Sequence, residues 1–371
     1  MQQIYFDHAA TTPLDEEVLK LFSKKTGGIY GNPSSTHALG RIARVEIEQA
    51  RNQIGKLLNI NSTEVFFTSG ATEAINMIIQ GVVSGKKADR IIVSPLEHHA
   101  VLHTLEHLNH PIPVDFVNHN TSGEIDLIHM EQLLAANKNS LVIMMAVNNE
   151  IGNINPVSQV SHLCRKYNAL FFSDMVQSVG KTDFLLEGVD FASFTAHKFN
   201  GPKGIGIAYI NSKSKIQPLI YGGGQEQNMR AGTENCALIL AMAKAMELAV
   251  SNFSENQKHI SSLKQHLVKK LKQYFPSVQF NGTSETGGVA NIINFTVPDF
   301  EAMDMLHIML DMQGICISQG SACSSGVNHK SHVVTALKNG NEQAIRVSFG
   351  KSNTIEEVGQ FVDILNNIVH K

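Results

Sequence analysis

The feature that most constrains the fold is a repeated alternation that begins at about residue 64. Short apolar runs, rich in β-branched and aromatic residues, alternate there with helical patterns at 71–83, 127–136 and 158–168. The strand-like runs read "EVFFTS", "DRIIVSP", "VDFVN", "SLVIMMAV", "LFFSDMV", "FASFTAH" and "GIGIAYI". Several are apolar at nearly every position, as strands buried on both faces are. The alternation therefore predicts an α/β domain on a largely parallel sheet flanked by helices.

A second, smaller portion follows this pattern. It begins with two long helical segments, at about 234–251 and 254–275, and continues with the runs "VQFNG", "ANIINFTV", "GICIS" and "AIRVSFG". Further helical patterns lie near 301–312, 331–337 and 354–371. We predict a large domain over 15–250 and a small α+β domain formed by 1–14 and 251–371.

Composition and charge exclude several classes of protein. The 371 residues carry 30 Lys and Arg against 33 Asp and Glu, a formal net charge of −3 at pH 7, and no basic stripe marks a nucleic-acid surface. "MQQIYFDHAA" lacks the charged start and apolar core of a signal peptide. The longest apolar run, "LVIMMAV", is far shorter than the roughly 20 residues that cross a bilayer. We expect a soluble, cytoplasmic protein that binds neither nucleic acid nor a membrane.

The number and spacing of the cysteines limit the roles that they can have. The four cysteines form no C-x-x-C pair, which argues against a disulfide framework and against zinc. Cys164 and Cys236 fall in apolar helical patterns and are expected to pack as small hydrophobic side chains. Cys323 instead stands among small residues in "ISQGSACSSG", after "GICIS" with Cys316. From this context alone, Cys323 could be a loop filler, half of a disulfide, a metal ligand or a nucleophile.

Three short motifs in the first domain suggest a cofactor site. In "SFTAHKFNGPKG", Lys198 ends a strand, where desolvation would suit a Schiff-base lysine. In "LFFSDMVQSVG", Asp174 ends an apolar strand, at the edge where open α/β sheets bind ligands, and could pair with a protonated pyridine nitrogen. In "FTSGATEAINMII", small residues between strand and helix could cradle a phosphate. Singly, these are also typical of a solvated lysine, a capping aspartate and an ordinary turn; together they favour pyridoxal phosphate.

These motifs are part of a resemblance that covers essentially the whole chain. The sequence resembles the cysteine desulfurases of the NifS/IscS type, in the class V aminotransferase group of fold-type I pyridoxal-phosphate enzymes. The likeness is carried by "YFDHAATTPLDEEV", "YGNPSSTHALG", "TSGATEAIN", "EHHAVL", "VNNEIG", "SDMVQSVG", "AHKFNGPKGIG", "GGGQEQNMRAGTEN", "GSACSSG" and "IRVSFG". It implies a fold-type I transferase fold, pyridoxal 5'-phosphate as cofactor, L-cysteine as substrate and a homodimer.

The resemblance also implies roles for individual residues. Lys198 would hold the cofactor as a Schiff base, Asp174 would pair with the pyridine nitrogen, and His98 would stack on the ring and act as acid and base. Arg346 would bind the substrate carboxylate, for which its planar fork is suited, with help from Asn32. The remaining contacts would hold the phenolic oxygen (Asn149 and Gln177) and the phosphate (Ala71, Thr72, Thr195 and His197, with Thr233 from the partner subunit).

For Cys323 the resemblance implies a sulfur carrier. Its thiolate would attack the sulfur of L-cysteine, leaving alanine and a persulfide for an acceptor protein, either an iron–sulfur scaffold or a tRNA-thiolation protein. Small neighbours would let a loop at about 318–332 swing between cofactor and acceptor. The loop interior "GVNHKSH" and the short C-terminus differ from relatives, which leaves the acceptor open.

Two alternatives remain at this stage. A selenocysteine lyase, or another class V enzyme, would share the cofactor motifs, although Cys323 favours desulfuration. A sulfur-relay or assembly protein with incidental catalysis is disfavoured because Lys198, Asp174 and His98 are all present. The pair His99 and His103 has the i, i+4 spacing of metal ligands, but no third ligand is evident, and we expect both on a helix surface.

Overall fold

The computed structural model describes residues 3–319, 331–338 and 343–370. Within these ranges its strands are β1 Ile4–Tyr5, β2 Val65–Thr68, β3 Arg90–Val93, β4 Val114–Phe116, β5 Ser140–Ile143, β6 Leu170–Asp174, β7 Phe191–Thr195, β8 Gly206–Ile210, β9 Gln279–Phe280, β10 Ile292–Thr296, β11 Ile315–Cys316 and β12 Ile345–Ser348. The helices are α1 Glu16–Gly28, α2 Ala38–Leu58, α3 Ala71–Ser84, α4 His99–Glu106, α5 Leu127–Ala136, α6 Val157–Lys166, α7 Cys236–Ser251, α8 Phe253–Tyr274, α9 Leu306–Asp311, α10 His332–Lys338 and α11 Ile355–Val369. Short 3-10 turns lie at Ser62–Glu64, Ala196–Lys198 and Gln225–Asn228.

The central sheet has seven strands in the order β2-β8-β7-β6-β5-β3-β4. From β4 to β7 every neighbouring pair is parallel, whereas β8 runs antiparallel to both β7 and β2. Each of the seven apolar runs contributes one strand. The predicted mostly parallel sheet is therefore confirmed. The carboxyl ends of β2, β3, β5, β6 and β7 meet at one edge, where ligands of such sheets bind.

Both faces of this sheet are buried. Ile92 and Val142 pack in a cluster with Ile47 of α2, whereas Ile91 and Leu141 pack on the opposite face with α3. Because successive strand residues point to opposite faces, strands that are apolar throughout need helices on both sides. The helical stretches between the strands provide that cover.

Local sequence explains the extent of α2, which packs against the sheet. Ala43, Ile47, Ala50 and Ile54 are buried and recur every three or four residues, so that one face of the helix is apolar. The helix ends at Asn59, whose φ of 54° is left-handed, a conformation that Asn tolerates better than most residues.

The C-terminal portion has its own sheet and core. Strands β12, β10 and β9 form an antiparallel sheet, and β1 pairs with β11 in parallel. Phe6, from the N-terminal segment, packs in one hydrophobic cluster with Leu263 of α8, Phe295 of β10 and Phe361 of α11. The exact domain boundaries stay a prediction.

Helix α7 is the most apolar helix next to the central sheet, and it packs between α1 and α2. Cys236 at its start and Cys164 in α6 are both buried in the large core, which confirms that they pack as small hydrophobic side chains. In the described part of the chain, no single helix is long and apolar enough to cross a bilayer; α7 and α8, bent by 68° at their junction, meet that test only as a pair.

Candidate active site

A cavity of about 420 Å³ opens at the carboxyl edge of the central sheet. Ten predicted site residues line it: Ala71, Thr72, His98, Asn149, Asp174, Gln177, Thr195, His197, Lys198 and Arg346. Asn32 and Thr233 are exposed elsewhere on the chain. Cys323 lies outside the described residues. The structure therefore brings together most of the residues predicted from one linear sequence.

The turn predicted to hold the phosphate joins β2 to α3. Thr68 Oγ1 donates to Gly70 O at 3.0 Å, and Ser69 N donates to the Glu73 carboxylate at 2.9 Å, which fixes the turn. Gly70 precedes the helix, and no side chain caps its first turn. The first N–H groups and the positive end of the helix dipole thus border the cavity, an arrangement suited to phosphate. A Cβ on Gly206 of β8 would lie 2.6 Å from the Gly70 backbone, so this close approach requires glycine.

Asp174, the last residue of β6, presents a buried carboxylate to the cavity. Its Oδ1 accepts hydrogen bonds from Val176 N and from Ser193 Oγ, each at 3.0 Å. Burial raises the pKa of Asp174, while these two hydrogen bonds and the charge of Lys198 oppose the rise. A buried carboxylate in such a place favours a cationic ligand.

Lys198 closes the 3-10 turn after β7 and reaches back to the N-terminal segment. Its Nζ donates to Ala9 O at 2.7 Å and to Ala10 O at 2.8 Å. The side chain lines the cavity, so it is not the solvated loop lysine that the motif alone allowed. Two carbonyl oxygens thereby orient the amino group toward the same space that Asp174 borders.

His98 is held in a neutral state at the start of α4. Its Nδ1 accepts from Ala100 N at 3.0 Å, which leaves the ring proton on Nε2. Burial lowers the pKa of His98 to about 4, with smaller contributions from the charge of Lys198 and from neighbouring histidines. A neutral imidazole with its proton on Nε2 can donate a hydrogen bond at that atom to a ligand in the cavity.

Arg346 of β12 is 1% exposed although it lies on an edge strand. Its Nη2 donates to Asp7 Oδ1 at 2.7 Å, and its Nη1 donates to Asn149 O at 2.9 Å. Arg346 is therefore not a surface arginine. Its guanidinium borders the cavity and is positioned to meet an anionic group there.

Comparison with known proteins agrees with this geometry. The model of the class-V aminotransferase family matches residues 4–361. The chain is 39% identical to cysteine desulfurase IscS of Dictyoglomus turgidum, over 100% of this chain and 95% of the relative, and 36% identical to cysteine desulfurase IscS of Clostridium botulinum, over 99% and 94%. A solved structure described as a NifS-like protein superposes with a TM-score of 0.91 at 37% identity, and a NifS-like protein from Rickettsia africae with 0.90 at 33%; both are covered over 100% of each chain. The chain belongs to the cysteine desulfurases of the class-V aminotransferase family.

Membership confirms several predictions for this cysteine desulfurase. The fold class, the family and the use of pyridoxal 5'-phosphate follow from the family model and the full-length relatives. The same relatives do not favour a selenocysteine lyase. The roles of individual residues stay predictions.

The cavity fits the cofactor chemically. At one end lie the uncapped first turn of α3 and the side chains of Thr195 and His197, which would hold a phosphate. Asp174 would pair with the pyridine nitrogen, and Lys198 lies in the same cavity as the amine for covalent attachment. Each part of the cofactor thus has a complementary group.

Gln177 and Lys181 form a pair that the sequence analysis did not single out. Gln177 Nε2 donates to Ala9 O at 2.8 Å, and Lys181 Nζ donates to Gln177 Oε1. Burial lowers the pKa of Lys181 to about 7, and the charges of Lys198 and Arg346 add to the effect. The i, i+4 spacing in "QSVGK" is the signal that could have identified this contact.

Glu97 is a second residue that the sequence analysis missed. It is 0% exposed, and its Oε1 accepts from Met145 N at 2.8 Å, which joins the ends of β3 and β5. Burial, with a smaller effect of the Asp174 charge, raises its pKa to about 8, although the hydrogen bond from Met145 N opposes the rise. Glu97 therefore retains its proton at neutral pH, immediately next to His98. An acidic residue before two histidines gave no local sign of this burial.

Proposed function

We propose that this cysteine desulfurase converts L-cysteine to L-alanine and transfers the sulfur to Cys323 as a persulfide. The observation that carries the proposal is the convergence of Lys198, Asp174, His98 and Arg346 on one cavity. The bound cofactor would supply an electron sink for the carbon atom that loses its proton. The protein's residues would bind and orient the substrate and move its protons.

Arg346 would bind the α-carboxylate of L-cysteine. A guanidinium can donate two parallel hydrogen bonds to a carboxylate, which fixes both distance and orientation. Its near-complete burial strengthens such an interaction because water competes little. Asn32 is expected to assist, although in the single chain it is exposed and does not border the cavity.

Lys198 and His98 would handle the protons. Lys198 Nζ would accept the α-proton of the substrate once the amine is released. His98 Nε2–H would donate a hydrogen bond to the substrate, and because the pKa of this histidine is low, a proton that the ring takes up would be passed on readily to the substrate carbon. Asp174 would keep the positive charge of the pyridine nitrogen in place.

Cys323 would act as the nucleophile toward sulfur. Its thiolate would attack the sulfur of the substrate, so that a new S–S bond forms as the carbon–sulfur bond breaks. The electron pair of the broken bond goes to the carbon, which takes a proton and becomes the methyl group of alanine. The persulfide then passes to an acceptor, for which an iron–sulfur scaffold or a tRNA-thiolation protein in the cytoplasm is our expectation.

We also propose a homodimer. Leu39, Ile42 and Val45 expose 42–54% of their surface along one face of α2, and the preceding Tyr30 is 78% exposed. Apolar side chains in a stripe of this kind are typical of a surface that a second copy covers. Thr233 is exposed in the single chain, as expected of a residue that completes the phosphate site of the partner.

To test this proposal, L-cysteine is added to the holoenzyme, and alanine, sulfide and protein persulfide are measured together. Wild type should form alanine and persulfide in equal amounts before a reductant releases sulfide. Cys323→Ser should bind cofactor and L-cysteine but release no sulfide; normal turnover by this variant would refute the persulfide route. Alanine formation without any persulfide on the wild-type chain would equally contradict the proposal.

A further inference from the structure

Asp7 joins three parts of the chain beside the candidate active site. Its Oδ1 accepts one hydrogen bond from Arg346 Nη2 at 2.7 Å and another from Ser318 Oγ at 2.9 Å. Ser318 and Arg346 also pair through their backbones, with N to O distances of 3.2 and 2.8 Å. One carboxylate thus connects the N-terminal segment, β12 and the stretch that leads to Cys323.

The guanidinium of Arg346 depends on this carboxylate for its position. A buried cation is costly unless it is paired, and only 2% of the Arg346 side chain is exposed, against 17% for Asp7. Asp7 contacts Nη2 while Asn149 O contacts Nη1, so two acceptors on different nitrogens fix the plane of the group. Arg346 borders the cavity and Asp7 does not. Asp7 therefore contacts the guanidinium on the side that faces away from the cavity.

We propose that Asp7 is a positioning residue for recognition of the α-carboxylate, because it holds the Arg346 guanidinium in the orientation that binds this group. The inference rests on the proposed function, in which Arg346 binds the carboxylate of L-cysteine. Arginine binds a carboxylate bidentately only when the two planar groups are aligned. The loss of Asp7 should therefore weaken the binding of ligands that carry an α-carboxylate and leave the binding of simple amines unaffected.

L-Alanine and ethylamine provide the comparison, because they differ by the carboxylate alone. Binding of each to the holoenzyme is followed by the change in cofactor absorbance. Asp7→Ala should lower the affinity for L-alanine about 10- to 100-fold, which is the usual effect of losing a hydrogen bond to a charged group. The affinity for ethylamine should stay unchanged. Asp7→Asn retains an acceptor oxygen without the charge, so it should lower the affinity for L-alanine by less, about three- to tenfold.

Ser318→Ala is the matched control. It removes the other donor to the same Asp7 oxygen but leaves the pair with Arg346, so wild-type affinity for L-alanine is expected. If Asp7→Ala weakens the binding of both amines equally, or of neither, Asp7 does not position Arg346 for the carboxylate and the inference is wrong. Should Asp7→Ala fail to retain cofactor, Asp7→Asn carries the same comparison, and equal effects on both amines would again refute the proposal.

Arg346→Ala separates a failure of this inference from a failure of the proposed function. If that variant binds L-alanine as wild type does, Arg346 is not the carboxylate ligand, and the proposed substrate site is at fault. If Arg346→Ala selectively loses L-alanine while Asp7→Ala does not, the substrate site stands and the role of Asp7 is refuted.

Discussion

The imidazole of His332 packs against that of His99, with ring centroids 4.6 Å apart. His99 in turn stacks on His103 at 4.9 Å. The sequence predicts His99 and His103 on a helix surface with no third metal ligand; in the structure His103 is exposed and His99 is half-buried. His332 Nε2 also lies 3.0 Å from Glu97 O. Across the described ranges no cluster has the make-up of a metal site, so the contact ties α10 to α4 by packing.

This contact should weaken in acid. Burial lowers the pKa of His99, and His332 and His103 lower it further, while Glu106 opposes them. The folded state therefore favours the neutral ring, and its contribution is lost as the pH falls below the ordinary histidine pKa of about 6.5. We expect amide exchange in 332–338, corrected for intrinsic rates, to accelerate between pH 7.5 and 5.5, and His99→Gln to reduce that pH effect. The same acceleration in this variant would contradict the interpretation.

His8 should add a separate dependence of stability on pH. The ring is 3% exposed, and neither nitrogen has an acceptor or donor partner among the described residues. Burial, followed by the charge of Lys181, lowers its pKa to about 4. Because the folded pKa lies below the unfolded value, the stabilisation is complete above pH 6.5 and is lost as the pH falls toward 4. At pH 5 the loss is roughly 2 kcal/mol in the free energy of unfolding.

Urea unfolding at pH 7.5 and 5.0, with cofactor in fixed excess, tests this prediction. His8→Phe cannot be protonated and is similar in shape, so its loss between the two pH values should be smaller than that of wild type by roughly 2 kcal/mol. Identical losses in the two proteins would show that His8 does not titrate as proposed.

The cofactor motifs could be identified from sequence because each lies where a strand ends. Asp174, Lys198 and the turn before α3 follow three apolar runs, and the carboxyl ends of parallel strands share an edge. Contacts between distant segments carry no such local signal. Asp7 meets Arg346 across 339 positions, and Lys198 is held by the carbonyl of Ala9. These depend on how the two ends of the chain return to the sheet.

The antiparallel direction of β8 could be predicted from the length of the segment that precedes it. The segment from Thr195 to Gly206 is too short for the crossover of a dozen or more residues that a parallel neighbour requires, and it contains Gly and Pro rather than a helical pattern. An antiparallel return next to β7 follows from that length. The period of the apolar residues alone does not distinguish the two directions.

Loss of the Asp174 charge should weaken cofactor binding. Asp174→Asn retains the size of the side chain but no longer offsets a protonated pyridine nitrogen, and affinity should fall about 10- to 100-fold. Titration of the apoenzyme with pyridoxal phosphate, followed by absorbance, measures the change. Asp190, at the opposite edge of the sheet, is a matched control because burial also raises its pKa. If Asp190→Asn weakened binding equally, a specific role for Asp174 would be untenable.

The fold should tolerate removal of the negative charge that Glu97 can carry, but not removal of its side-chain oxygen. With a pKa of about 8 it is mainly protonated at neutral pH, so Glu97→Gln should retain stability and cofactor content. Glu97→Ala leaves the buried Met145 N–H without its acceptor and should cost about 1–3 kcal/mol in the free energy of unfolding. Chemical denaturation of both variants decides this, and a large loss in Glu97→Gln would indicate that the carboxylate is ionised.

Among the described residues, the pair of Arg51 and Glu226 should be the costliest ion pair to break. Two hydrogen bonds of 2.7 and 2.8 Å join their side chains, which are 4% and 2% exposed. Glu226 also accepts from Phe67 N at 2.8 Å, and Arg51 lies 4.6 Å over the Phe67 ring. The pair holds Glu226 at a left-handed φ of 44°, in the loop that leads to Thr233.

Glu226→Ala removes the bidentate carboxylate partner of the buried Arg51 guanidinium and leaves it only the half-exposed Glu48 at 3.3 Å, so it should lower the free energy of unfolding by about 3–5 kcal/mol. Arg51→Ala should have a similar effect, and the double variant should cost clearly less than the sum, because the second substitution removes the charge that has lost its main partner. Glu131→Ala, which breaks an exposed pair with Lys166, should have a much smaller effect on the free energy of unfolding. Additive losses at Arg51 and Glu226 would mean that the two side chains stabilise the fold independently, and the loop before Thr233 would then need another anchor.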